Sequence, residues 1–143
     1  MAYYNRLMIF EVLNKFEELK TKQEKIDILR KNDTAALRDI IRCSLDPKIK
    51  FLLPEGAPPY NPAAPSSVPS NLLKQNVKLA YWVEGSPKAA QVDKIKKEKI
   101  FMDVLESIHP EDALVLIKAK DKKQLAKGLT VKLVNEAFPG LIQ

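Results

Sequence analysis

Residues 6–19 read RLMIFEVLNKFEEL, and the apolar residues in this stretch recur at the three- and four-residue spacing of one helical face. These apolar residues are Leu7, Ile9, Phe10, Leu13, Phe16 and Leu19. Polar residues such as Glu11, Asn14 and Glu17 lie on the opposite face. The stretch therefore predicts an amphipathic first helix.

Two further helices are predicted within the first third of the chain. Residues 21–24, TKQE, have the pattern of a capping box, in which the threonine and glutamate side chains each accept a backbone N–H. This box predicts a second helix that runs to about Arg30. Asp33 is the predicted N-cap of a third helix, which ends at Asp46-Pro47 because proline cannot continue a helix.

A proline-rich segment follows the three helices. Six of the ten prolines of the chain lie between residues 54 and 69, namely Pro54, Pro58, Pro59, Pro62, Pro65 and Pro69. Proline at this density excludes regular helix or strand. We predict one long, stiff loop over residues 54–70, which is part of the domain and not a boundary between domains.

The remainder of the chain is again helical in pattern. A fourth helix is predicted from after Ser70 to Gly85, a fifth over residues 87–108, a sixth from Pro110 to about Ala119 and a last one near residues 127–138. No stretch alternates as a strand does. The expected fold class is all-α, with residues 1–143 forming one compact domain of six to seven helices.

Groups suited to catalysis are scarce in this sequence. The chain has one cysteine, Cys43, which lies in an apolar helical pattern, and one histidine, His109, which precedes the proline of a helix start. The sequence has no paired Cys or His spacing for zinc and no glycine-rich phosphate loop. The adjacent acids Glu111 and Asp112 are expected to be solvated charges. We predict a protein that is not an enzyme and that uses no cofactor and no metal.

The net charge of +6 is concentrated at the two ends of the chain. Residues 118–132 contain six lysines and one acid, and Gly128 precedes a predicted helix start where free amides attract anions. A solvated turn between two helices is the alternative interpretation. Shorter basic runs lie at residues 94–99 and 48–50. The candidate phosphate-contacting residues are Lys118, Lys120, Lys122, Lys123, Lys127, Gly128, Leu129, Thr130, Lys132, Lys48 and Lys50.

Four segments carry a resemblance to a known family: IFEVLN at 9–14, TKQEK at 21–25, ILRKN at 28–32 and NEAFPGLI at 135–142. In this order they resemble the N-terminal DNA-binding domain of the T-even bacteriophage ATP-dependent DNA ligase. The resemblance implies an all-helical fold that grips duplex DNA beside a nick, through backbone contacts in the minor groove. It points to residues 127–130.

Two departures qualify this resemblance. The nucleotidyltransferase motif Lys-x-Asp-Gly of the ligases is absent, so ligation by this chain is not expected. Residues 52–60, LLPEGAPPY, are instead similar to a segment of small uncharacterised proteins of tailed phages related to the T-even group, cyanophages among them.

Two functions from different classes remain open. The leading prediction is a phage protein of the host cytoplasm that binds duplex DNA, nicked or ended DNA included, largely without sequence preference. It would assist replication, repair or recombination, with a phage replication or repair protein as a further partner. No signal peptide or membrane segment is expected. The alternative is a protein–protein adaptor that uses the proline-rich loop and exposed aromatic residues such as Tyr60 or Trp82.

Overall fold

The computed structural model describes residues 7–143, and these form a single helical domain with eight α-helices and a 3₁₀ helix. The α-helices are α1 (Ile9–Glu18), α2 (Lys22–Lys31), α3 (Ala35–Leu45), α4 (Leu72–Gln75), α5 (Pro87–Ala90), α6 (Lys94–Ser107), α7 (Pro110–Lys120) and α8 (Val131–Ala137). The 3₁₀ helix, Asn76–Tyr81, follows α4 directly. Residues 7–143 contain no β-strand, only one antiparallel bridge between Phe51 and Val83. The all-α prediction is confirmed. Arg6, the first residue of the stretch that predicted α1, lies outside the described residues.

The capping box predicted for α2 is confirmed. The Thr21 hydroxyl accepts the backbone N–H of Glu24 at 3.2 Å, and the Glu24 carboxylate accepts the backbone N–H of Thr21, also at 3.2 Å. The predicted cap of α3 is wrong by one residue. Thr34 accepts the N–H of Leu37, while Asp33 forms two bonds with the Arg38 guanidinium, at 2.6 and 2.8 Å.

Helix α7 lies at the centre of the core, where α1, α3 and α6 pack against it. Helix α2 joins α1 on one side and α8 on the other. Trp82 is fully buried, donates its indole N–H to the Lys97 carbonyl at 3.1 Å and meets the Phe101 ring edge-on at 5.1 Å. This corrects the prediction that Trp82 is an exposed aromatic residue.

The helices after Ser70 are shorter than predicted, because α4 changes to the 3₁₀ helix at Asn76 and a side-chain cap divides the predicted fifth helix. The Asp93 carboxylate accepts the N–H of Lys96 at 2.8 Å and starts α6 anew after the short helix α5. This start turns Ile95 to solvent, where it is 79% exposed. Lys97 is buried instead and donates its Nζ to the Val92 carbonyl at 2.6 Å.

Residues 54–70 contain no helix or strand, as predicted, and we call this segment the proline strap. The strap is tied to α6 and to the end of α7 by long-range hydrogen bonds. The Asn61 N–H donates to Glu106 at 2.8 Å and the Ser70 N–H donates to the Ser107 carbonyl at 2.8 Å. Its early part is held by Lys120 and Asp121, so the strap is anchored along its length.

No helix in residues 7–143 is long and apolar enough to cross a membrane.

Candidate nucleic-acid interface

The lysine-rich segment predicted as one exposed loop is divided by the structure, and Lys120 is its clearest exception. The Lys120 side chain is 1% exposed and forms an ion pair with Asp121, which is 5% exposed. Its Nζ also donates to the Pro54 carbonyl at 2.7 Å. The Asp121 carboxylate in turn accepts the N–H of Gly56 at 3.1 Å. Lys120 therefore anchors the proline strap, and its predicted exposure is wrong.

Lys122 is also engaged within the protein. Its Nζ donates to the carbonyls of Cys43 at 2.5 Å and Asp46 at 2.7 Å, which are free because α3 ends there. Burial lowers the pKa of Lys122. Its neighbours Lys118 and Lys123 have exposed side chains. Of these four predicted contacts, the structure thus leaves Lys118 and Lys123 open to a partner.

Residues 127–132 lie elsewhere, against α1 and α2. The Lys127 N–H donates to the Glu17 carboxylate at 2.7 Å, and Thr130 caps α8 by accepting the N–H of Leu133 at 3.3 Å. The Leu129 side chain is 1% exposed. Leu129 is a core residue, its N–H donates to the Ala126 carbonyl at 3.1 Å and its carbonyl accepts from the Gln124 side chain at 3.3 Å, so its polar groups are engaged within the protein.

A groove opens between α2 and α8, with a volume of about 380 Å³. We call it the α2–α8 groove, and its lining residues are Lys22, Lys25, Gly128, Thr130, Lys132 and Leu133. The Lys25 Nζ donates to the Phe16 carbonyl at 2.8 Å and lies 4.5 Å from the Phe16 ring centre. Lys22 pairs with Glu136 at 2.6 Å. Three lysines from two helices thus line the same groove as the backbone of Gly128.

Sequence reasoning missed Lys22 and Lys25 as members of this groove. They lie three positions apart and therefore on one face of α2, but this spacing does not indicate which helix that face contacts. Their proximity to Gly128 depends on the packing of α2 against α8. Within residues 7–143, the ammonium groups of Lys127 and Lys132 have no hydrogen-bond or ion-pair partner, so their charges are available to an anion.

The predicted contacts Lys48 and Lys50 do not line the α2–α8 groove. The Lys50 carbonyl accepts the N–H of Glu84 at 2.8 Å, beside the bridge between Phe51 and Val83, and its side chain is exposed. Lys48 lines a separate depression with Arg38 and Arg42. The structure therefore distributes the predicted site over several surfaces.

The groups with catalytic potential have structural contacts. Burial raises the pKa of the Cys43 thiol to about 12, which keeps it protonated at neutral pH. The His109 ring stacks on Phe10 at 4.4 Å, and its Nδ1 accepts the N–H of Glu111 at 3.0 Å. Asp112 is 1% exposed, which corrects its interpretation as a solvated charge. In residues 7–143 no three His, Cys, Asp or Glu side chains gather as metal ligands do.

Gly128 has a φ of +87°, a conformation that side-chain-bearing residues rarely adopt. A Cβ there would lie 3.9 Å from Lys25 Nζ and from Phe16 Cε1, which is ordinary contact. We therefore expect Gly128→Val to lower the free energy of unfolding by about 1–3 kcal/mol through backbone strain alone. Gly128→Asn should lose less, because asparagine tolerates positive φ. Thermal melting compares the variants, and equal stability of glycine and valine would contradict this expectation.

The model of a family of unknown function, DUF6433, matches residues 12–127. The chain belongs to this family. The part matched to DUF6433 begins within α1, includes the proline strap and the Lys120–Asp121 anchor, and ends directly before Gly128. It thus contains the α2 wall of the groove, whereas Thr130 and Lys132 follow the matched range. No curated protein matches the sequence.

Proposed function

We propose that the protein binds duplex DNA without catalysing a reaction, largely independently of sequence, and that the α2–α8 groove contacts the phosphate backbone. The observation that carries the proposal is that Lys22, Lys25 and Lys132 line one groove with the exposed backbone of Gly128, and that the ammonium groups of Lys132 and of the adjacent Lys127 have no partner in residues 7–143. Lysine ammonium groups neutralise phosphates without reading bases, which suits binding that is independent of sequence.

The charges at the groove favour an anion after its internal acids are counted. Glu136 pairs with Lys22, and Glu17 accepts the Lys127 N–H. These two carboxylates leave a local surplus when set against four lysines, since Lys127 adjoins Gly128 in the chain. The net charge of +6 acts in the same direction over longer distances.

The resemblance to the DNA-binding domain of T-even phage ligases supports the same place by a separate route. It points to residues 127–130, of which Gly128 and Thr130 line the groove. Under this proposal the protein works in the cytoplasm of a phage host and assists replication, repair or recombination. Nicked duplexes and duplex ends are the DNA structures whose binding is to be compared with that of an intact duplex. The adaptor alternative loses Trp82 as an aromatic contact, since Trp82 is buried, and Tyr60 is half-buried and packs against the core.

The proposal is tested with Lys127→Gln/Lys132→Gln, two substitutions of exposed lysines that have no partner in the described residues. Loss of two phosphate contacts should flatten the log–log dependence of duplex affinity on salt by up to about 1.8, since each contact contributes about 0.9. Between 50 and 200 mM salt the parent should then lose roughly tenfold more affinity than the variant. Equilibrium binding to a labelled duplex across this range measures both slopes.

The matched control is Lys94→Gln/Lys96→Gln, which removes the same charge from exposed positions at the start of α6. We expect this control to keep the slope of the parent. A parent protein that binds no duplex, or binds it with no dependence on salt, would overturn the proposed function. Equal slopes for the Lys127→Gln/Lys132→Gln variant and the control would remove the two unpaired lysines, and with them the proposed phosphate contact beside Gly128, from the interface.

A further inference from the structure

A second basic surface lies beyond the C-terminal end of α8. Residues 139–143 face α3 across an open depression of about 510 Å³. We call it the arginine groove. Its lining residues are Arg38, Arg42, Asp46, Lys48, Ile49, Pro139, Gly140, Leu141 and Gln143. Three of these side chains are cationic and come from α3 and the turn after it.

Arg38 is a fixed wall of this groove. Asp33 binds its guanidinium with two hydrogen bonds, and the guanidinium carbon lies 4.6 Å from the centre of the Phe138 ring. The hydrogen bonds from Arg38 lower the pKa of Asp33. A guanidinium held in this way keeps its position, although Asp33 offsets much of its charge.

Arg42 and Lys48 supply the charge that is free. Arg42 lies four residues after Arg38 and therefore on the same face of α3. Both Arg42 and Lys48 are exposed, and within residues 7–143 neither side chain has a hydrogen-bond or ion-pair partner. An arginine fork with free donors fits the paired oxygens of a phosphate.

The acid in this lining does not cancel that charge from the solvent side. Asp46 is 7% exposed, and its carboxylate accepts the backbone N–H of Lys48 at 2.9 Å. The Asp46 carbonyl is itself held by the Lys122 ammonium at 2.7 Å. The positive charge of Lys122 therefore offsets the negative charge of Asp46 at this end of α3.

We propose that the arginine groove is a second contact for the phosphate backbone of the same duplex. This inference rests on the proposed function and names a further part of its interface. The two grooves lie at opposite ends of α8, whose seven residues span about 10 Å at 1.5 Å per residue. A duplex carries one charge per 1.7 Å of axis, so the separation of the two grooves along α8 corresponds to several successive phosphate charges.

The test uses Arg42→Gln/Lys48→Gln, with the Lys94→Gln/Lys96→Gln protein as the control of equal charge. We expect the arginine-groove variant to flatten the salt slope by up to about 1.8, as loss of two phosphate contacts requires. The exchange Arg42→Lys/Lys48→Arg keeps both charges and should retain the slope of the parent. Circular dichroism of each variant checks that the fold is unchanged.

Combining the variants of both grooves separates the outcomes. Additive flattening, by up to about 3.6, supports two independent contacts on one duplex. If the arginine-groove variant matches the control while the Lys127/Lys132 variant differs, the second contact is refuted and the proposed function stands. A parent that binds no duplex overturns both, and binding of an acidic protein in place of DNA at this groove would also overturn the inference.

Discussion

Lys120→Ala is expected to lower the free energy of unfolding by about 3–5 kcal/mol, which is the cost of removing one partner of a buried ion pair. The substitution leaves the Asp121 carboxylate, 5% exposed, without its cation. It also leaves the Pro54 carbonyl without the Lys120 donor. The large effect comes from these uncompensated groups and not from the attraction between the two charges.

Chemical denaturation measures this loss against Lys118→Ala. Lys118 lies two residues earlier on α7 and is exposed, so its removal should change stability by no more than about 0.5 kcal/mol. A protease should also cleave the proline strap of the Lys120 variant faster than that of the parent, because Pro54 loses its anchor at the start of that segment. A Lys120 variant as stable as the Lys118 variant would show that water reaches the pair and replaces the lost contacts.

Asp112→Asn is expected to raise the free energy of unfolding at pH 7 by up to about 3 kcal/mol and to have almost no effect near pH 4. Asp112 lies in the first turn of α7, and its carboxylate accepts the N–H of Phe10 at 2.8 Å, at the start of α1. Asparagine can accept the same bond without a charge.

Burial raises the pKa of Asp112 from 3.8 to about 6, while the Phe10 hydrogen bond and His109 oppose that rise. Between these two pH values the folded protein holds a proton that the unfolded chain has released. Stability from this group is therefore present at low pH and is lost as pH rises through about 6. Above that pH the folded protein has a buried charge, and the asparagine variant does not.

Denaturation of the parent and the Asp112→Asn protein across pH 4–8 measures the difference directly. The two plots of unfolding free energy against pH should converge near pH 4. They should separate between about pH 4 and 6, where Asp112 is ionised in the unfolded chain but not in the folded protein. Asp112→Glu, which keeps the acid but enlarges a side chain at 1% exposure, serves as a control for packing at this position. Destabilisation by asparagine that grows as pH rises would show that the carboxylate is needed as a charged cap of α1, and destabilisation equal at all pH values would show a loss of packing that does not involve the charge.

The candidate site was predictable only in part. Lys127, Gly128, Thr130 and Lys132 were found because they are neighbours in the chain, and the structure keeps Gly128, Thr130 and Lys132 on one groove. The α2 half of that groove was not found. Lys22 and Lys25 lie more than a hundred positions away in sequence, and helical periodicity does not indicate which face of α2 meets α8.

The sequence by itself determined the helical class, the capping box at Thr21 and the irregular course of residues 54–70. Each of these depends on backbone geometry within a few positions, through apolar spacing, side-chain caps or the fixed φ of proline. Only the tertiary structure decided which charges are buried. Lys120 meets Pro54 from 66 positions away, and Asp112 meets Phe10 from 102. A charged residue is buried where distant backbone groups replace its water, and no local pattern records the position of those groups.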